Sequence, residues 1–127
     1  MTNARITQMD LLLSRALVCV DGELDLADVG EFKVEVRVVL ARKPALILID
    51  LRGCKFIDAS VIAALIELHR SLDGAGSLAV IARREPRRVL RLTAVDEVMP
   101  VFETMVDASQ TLNGAGRDRT APVSASP

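Results

Sequence analysis

A chain of 127 residues, half of them hydrophobic and with a formal net charge of −1, has room for one domain that buries roughly two thirds of its unfolded surface without disulfide or metal support. No apolar run approaches the roughly 18 residues that cross a bilayer, and the opening MTNARITQMD lacks the apolar centre of a secretory signal; a cytoplasmic protein with no membrane partner is expected. With near-zero charge, no Trp or Tyr and only three Phe, neither the electrostatic nor the stacking demands of nucleic-acid binding are met.

In chain order, residues 1–6 read as a frayed start. From Gln8 to Val20 two short apolar stretches, joined by a tight turn near Ser14-Arg15, read as a β-hairpin. Asp21-Gly22 marks a further turn. The segment Leu26 to Arg42 carries two patterns. Phe32 to Val38 alternates apolar and charged residues as a strand would, yet Val29, Phe32, Val36, Val39 and Leu40 fall on one helical face. Asp25 or Asp28 can supply the N-cap and Lys43-Pro44 the stop, and the length suits a crossover helix between parallel strands, so a helix is predicted.

Leu46 to Ile49 reads as a buried strand, ended by the Arg52-Gly53 break. Past Phe56-Ile57, apolar residues at 61, 62, 65, 66, 68 and 72 keep helical spacing, and Asp58 is placed to cap that helix through the unpartnered N–H groups of its first turn. Asp73 to Gly76 is a break, and Leu78 to Ile81 a further strand. Glu85-Pro86 opens a helix within Arg83 to Leu92, because the fixed φ of proline suits a first turn. Met99 to Phe102 reads as an edge strand and Thr104 to Leu112 as a last helix. From Asn113 the Gly, Ala, Ser, Thr and Pro content predicts a disordered tail over 113–127, leaving one domain over 1–112. Alternating strands and helices of this kind predict an α/β domain with a mostly parallel sheet of about five strands, an N-terminal hairpin and about four helices.

Groups that could carry catalysis are sparse. Ser60 and the one histidine, His69, are separated by nine helical positions, roughly 13 Å along the axis, too far for a nucleophile and its base. No phosphate-cradling glycine motif is present. Cys19 and Cys54 form no C-x-x-C and have no histidine pair beside them, which leaves two reduced thiols and no metal site, Cys54 being the one near enough to the central corner to serve as a regulatory thiol. No cofactor is implied and the chain reads as a non-enzyme. The arginines at 83, 84, 87, 88 and 91 make the strongest charge cluster, either a solvated helix face or a rim for an acidic partner. The corner Asp58-Ala59-Ser60 is the leading candidate site: a helix N-terminus gathers N–H groups and partial positive charge. If both strands run the same way, Asp25 flanks the same surface.

Gly22-Glu23-Leu24-Asp25 before a helix, then Leu48 to Leu51, then Phe56-Ile57-Asp58-Ala59-Ser60 opening an apolar helix, resemble the STAS domain of bacterial anti-sigma factor antagonists, a likeness running from about Gln8 to Leu112. The resemblance implies a partner-switching protein that binds an anti-sigma factor, typically an ATP-binding serine kinase, and frees the sigma factor it held. It also implies control by phosphorylation of the first serine of an Asp-Ser-Ser-Gly pattern. Here the sequence is Asp58-Ala59-Ser60-Val61, so the acceptor position falls on Ala59, which has no hydroxyl; an antagonist not switched by the usual serine phosphorylation is expected, with Ser60 as the candidate substitute acceptor. The partner-binding set implied is Glu23, Asp25, Asp58, Ala59, Ser60 and Val61, with Ala59 and Val61 as close-packing surface. A ligand-sensing or scaffolding STAS domain within a signalling assembly is the alternative.

Overall fold

The computed structural model describes residues 4–111. Strands β1 (Ala4–Leu11) and β2 (Arg15–Gly22) form the hairpin, α1 spans Val29–Leu40, β3 Leu46–Gly53, α2 Ala59–Leu72, β4 Ser77–Ile81, α3 Arg84–Leu92 and β5 Val101–Phe102. A single 3-10 turn, Val95–Glu97, precedes β5. A further helix, α4, follows over 105–111, and Thr104 caps it by accepting the Asp107 N–H at 3.0 Å. The expected disordered tail lies outside the described residues.

The sheet order is β1-β2-β3-β4-β5; β1 is antiparallel to β2 and every later pair is parallel. This is the predicted α/β arrangement. The apolar runs of the central strands divide between two faces, as the period of two requires. Val18, Ile47, Ile49, Leu51, Leu78 and Val80 point to one face, where Phe32, Val36 and Val39 of α1, Leu65, Leu68 and Leu72 of α2 and Leu90 of α3 cover them. Leu17, Leu46, Leu48, Ala79 and Ile81 point to the other face, against Ala108 and Met105 of α4. No helix among the described residues is long and apolar enough to cross a membrane.

Several predicted boundaries move. Residues 4–6 are strand: Ala4 pairs with Gly22 and Ile6 with Val20, and the Ala4 side chain is buried. Asp21-Gly22 ends β2 in the ladder instead of forming a turn. Glycine at φ 105 serves there because this left-handed conformation is costly for other residues. The Arg52-Gly53 break is likewise the end of an eight-residue strand. A Cβ at Gly53 would lie 2.0 Å from the Asp21 carboxylate oxygen and 2.9 Å from the Val20 carbonyl oxygen. Glycine is thus what lets β2 and β3 close up where their register shifts between Cys19 and Asp21. The segment with two readings is helical: Phe32, Val36 and Val39 form the buried stripe, and burying that stripe outweighs the modest helix propensity of valine.

Candidate docking site

Because β2 and β3 run in parallel, the loops that leave their carboxyl ends emerge side by side, and Leu24 forms an isolated parallel bridge with Ile57. That bridge brings the Glu23 to Asp25 loop against the start of α2. Asp58, extended at φ −112 and ψ −176, is the N-cap of α2. One of its oxygens accepts the Ser60 N–H at 3.0 Å, the Val61 N–H at 3.3 Å and the Ser60 hydroxyl at 2.5 Å. The other accepts the Leu26 N–H at 3.2 Å. The carboxylate therefore staples the first loop to the second helix. The Ser60 hydroxyl, with the Val61, Ser60 and Leu26 N–H groups, holds its pKa below the usual carboxylate range against the opposing effect of burial.

Asp25 is used locally. Its carboxylate accepts the Ala27 N–H at 3.0 Å, and its carbonyl accepts the N–H groups of Asp28 and Val29 at 3.0 and 2.9 Å. Asp28, fully buried, holds the N-cap position of α1 without a side-chain cap bond. On the partner-binding set, Glu23, Asp58 and Ala59 are exposed and Asp25 and Ser60 half-buried, all at the carboxyl rim of β2 and β3. Val61 departs from expectation. It is wholly buried in the core under α2 and offers no surface to a partner. Its place in the 61, 65, 68, 72 repeat is the inward stripe of the helix.

Two exposed apolar residues that helical or strand periodicity does not mark also belong to this rim. Leu26 is 73% and Phe56 60% exposed, one in each of the two loops that the Asp58 clamp joins. The signal was available, since both are large apolar residues outside any buried periodicity. Behind the rim, α1 and α2 are tied by Glu67 of α2, which pairs with Arg37 and, at 3.6 Å, with Lys33. A shallow open groove on α2, lined by Ala63, Ile66, Glu67 and Arg70, continues the rim along the helix.

The cysteines sit on opposite faces of the sheet. Cys54 is buried in the core and donates toward the Val20 carbonyl at 3.6 Å. Burial, with the nearby Asp21 and Asp50 charges, pushes its thiol up to about 12, so it is a neutral, shielded packing group at physiological pH. Cys19 lies on the other face beside Asp50, whose carboxylate takes a two-pronged contact from Arg52 at 3.0 and 2.9 Å. Burial opposes the ionisation of Asp50, but the Arg52 hydrogen bonds and charge outweigh it and lower its pKa. Burial and the Asp50 and Asp21 charges raise the Cys19 thiol. His69 is half-buried on α2, remote from Ser60 along the helix, and no group of acidic, cysteine or histidine side chains that could hold a metal occurs among the described residues.

A family model described as the STAS domain matches residues 8–108. The chain belongs to the STAS domain family. This STAS domain is 26% identical over 105 residues to the anti-sigma-F factor antagonist RsfB of Mycobacterium tuberculosis, covering 82% of this chain and 86% of that one. Its fold is similar to that of an anti-sigma factor antagonist from Mycobacterium paratuberculosis (TM-score 0.81, 24% identity, 87% of this chain and 94% of that one). It is also similar to the anti-sigma factor antagonist SpoIIAA in its unphosphorylated form (TM-score 0.70, 16% identity, 87% and 97% covered).

Proposed function

We propose that this STAS domain is a cytoplasmic anti-sigma factor antagonist with no catalysis of its own. It binds an anti-sigma factor of the ATP-binding serine kinase type through the rim at Glu23, Asp25, Ala59 and Ser60, and so frees a sigma factor. The observation that carries the reading is the rim itself. Two acidic loop residues and an exposed helix start converge on one edge, with Leu26 and Phe56 exposed beside them. Exposed large apolar side chains framed by polar groups are what a protein interface uses as anchors. The kinship with proteins named as anti-sigma factor antagonists supports the same role.

Asp58 acts in this scheme as a positioning residue, since its carboxylate is occupied by the clamp. The antagonist is not silenced by the usual phosphorylation, because the acceptor position is the methyl group of Ala59. Ser60, the substitute acceptor, spends its hydroxyl on Asp58. A phosphate there would add roughly two negative charges next to a carboxylate. The test is affinity capture from the native cell followed by calorimetry with the captured anti-sigma factor. An ATP-binding anti-sigma kinase should co-purify, and the double change Glu23→Lys, Asp25→Lys should weaken its binding at least about tenfold by charge reversal at the contact. Undiminished affinity in that variant would place the interface elsewhere.

A further inference from the structure

We propose that α3 forms a second docking surface, distinct from the antagonist rim, for an acidic protein segment that carries apolar anchors. The helix holds four arginines against one glutamate, in a chain whose net charge is −1. At 100° per residue, Arg87, Arg88 and Arg91 fall within one flank while Pro86 and Leu90 turn into the core. Arg87 reaches Glu103, just beyond β5, at 3.9 Å, which fixes the direction of this flank: it faces the β5 edge of the sheet, whereas the rim lies over β2 and β3. Arg88 pairs with Glu85 at 3.0 Å. Arg84 and Arg91, both exposed, have no ion pair among the described residues.

Next to Arg88 around the helix stands Leu92, 68% exposed. Arg84 is held at φ 56, a left-handed conformation that a residue with a side chain seldom adopts. It adds an exposed positive charge at the head of the helix, three residues after β4 ends. Like charges packed along one flank repel each other, and an acidic partner relieves that repulsion. Arginine recognises carboxylates well, since its guanidinium offers a planar fork of donors. The occupant is read as protein. The α3 flank offers no aromatic ring on which a nucleobase could stack, and a single exposed leucine is a small anchor for a bilayer. A protein with this surface in addition to its rim can hold two partners at once.

The probe is a fluorescein-labelled peptide of eight glutamates and four leucines, titrated with the full chain by anisotropy at about 0.15 M salt. The comparison is the same peptide with glutamine at every glutamate. The glutamate peptide should bind, and the glutamine peptide should bind at least tenfold more weakly. Arg84→Gln, Arg88→Gln and Arg91→Gln together should lower affinity at least tenfold and flatten its salt dependence, with an unchanged circular dichroism spectrum. Removing three other exposed charges, Arg5→Gln, Arg42→Gln and Lys43→Gln, should change affinity less than threefold. Equal binding of the two peptides, equal loss in both triple variants, or tighter binding to phosphatidylserine vesicles or to a DNA duplex would overturn the proposal.

Discussion

Replacing Asp58 by alanine removes two devices at once. It takes away the N-cap of α2, whose carboxylate holds the Ser60 and Val61 N–H groups, and it takes away the acceptor of the Leu26 N–H at 3.2 Å that ties the neighbouring loop. Loss of an N-cap acceptor costs about 1 kcal/mol, within a range of about 0.5–2. The Leu26 bond lies at an exposed site where water can replace the lost partner, so it adds at most about 1 kcal/mol. The sum, about 0.5–3 kcal/mol, corresponds to a fall in Tm of about 2–15 °C for a domain of this size. Asp58→Asn keeps a good capping acceptor and should recover most of that loss.

The pH dependence follows from the lowered pKa of Asp58. A carboxyl group more acidic folded than unfolded contributes stability above its unfolded value, about 3.9. That contribution disappears as the pH falls through the folded value. The gap in Tm between the parent and Asp58→Ala should therefore be constant near neutrality and narrow below about pH 4. Thermal unfolding followed by far-ultraviolet circular dichroism reads both. An alanine variant that melts within about 1 °C of the parent at pH 7 would refute the clamp.

Ala59→Ser supplies a hydroxyl at the first position of α2; incubation with the cognate kinase and ATP should add one phosphate at that residue by mass spectrometry and abolish partner binding, whereas the parent gains none. Gly53→Ala forces a methyl group against the Val20 carbonyl at 2.9 Å and should lower the urea-unfolding free energy by about 1–3 kcal/mol. The Cys54 thiol, at about 12 when folded against about 8.5 unfolded, keeps its proton more firmly in the native state. The stability this gives is complete below about pH 8.5 and is lost as the pH rises toward the folded value, so Cys54→Ala should show a flatter alkaline decline than the parent in thermal melts between pH 8 and 11.

The central strands were legible because Leu46 to Ile49 and Leu78 to Ile81 are buried on both faces and read as short unbroken apolar runs. The second helix was legible because its inward stripe is long and regular. The start of the first strand is hard to read because the exposed polar Arg5 and Thr7 flank half-buried Ile6, with a single buried Ala4 before them, a pattern that mimics a frayed terminus. The resemblance puts Val61 on the surface, whereas its spacing with Leu65, Leu68 and Leu72 puts it inside, where the structure has it. The bond from Leu26 to Asp58 spans 32 residues, and no local pattern reports such a contact. The Asp50 and Arg52 pair, by contrast, left a trace: a charged residue inside an apolar strand with its counterion two positions on, on the same face.

Calorimetric titration of the purified anti-sigma factor with this STAS domain, before and after prolonged incubation of the pair with magnesium and ATP, bears most directly on whether the switch is missing. An unchanged affinity, with no phosphate on the antagonist, is the predicted result. Loss of binding together with a phosphate mapped to Ser60 would contradict the account.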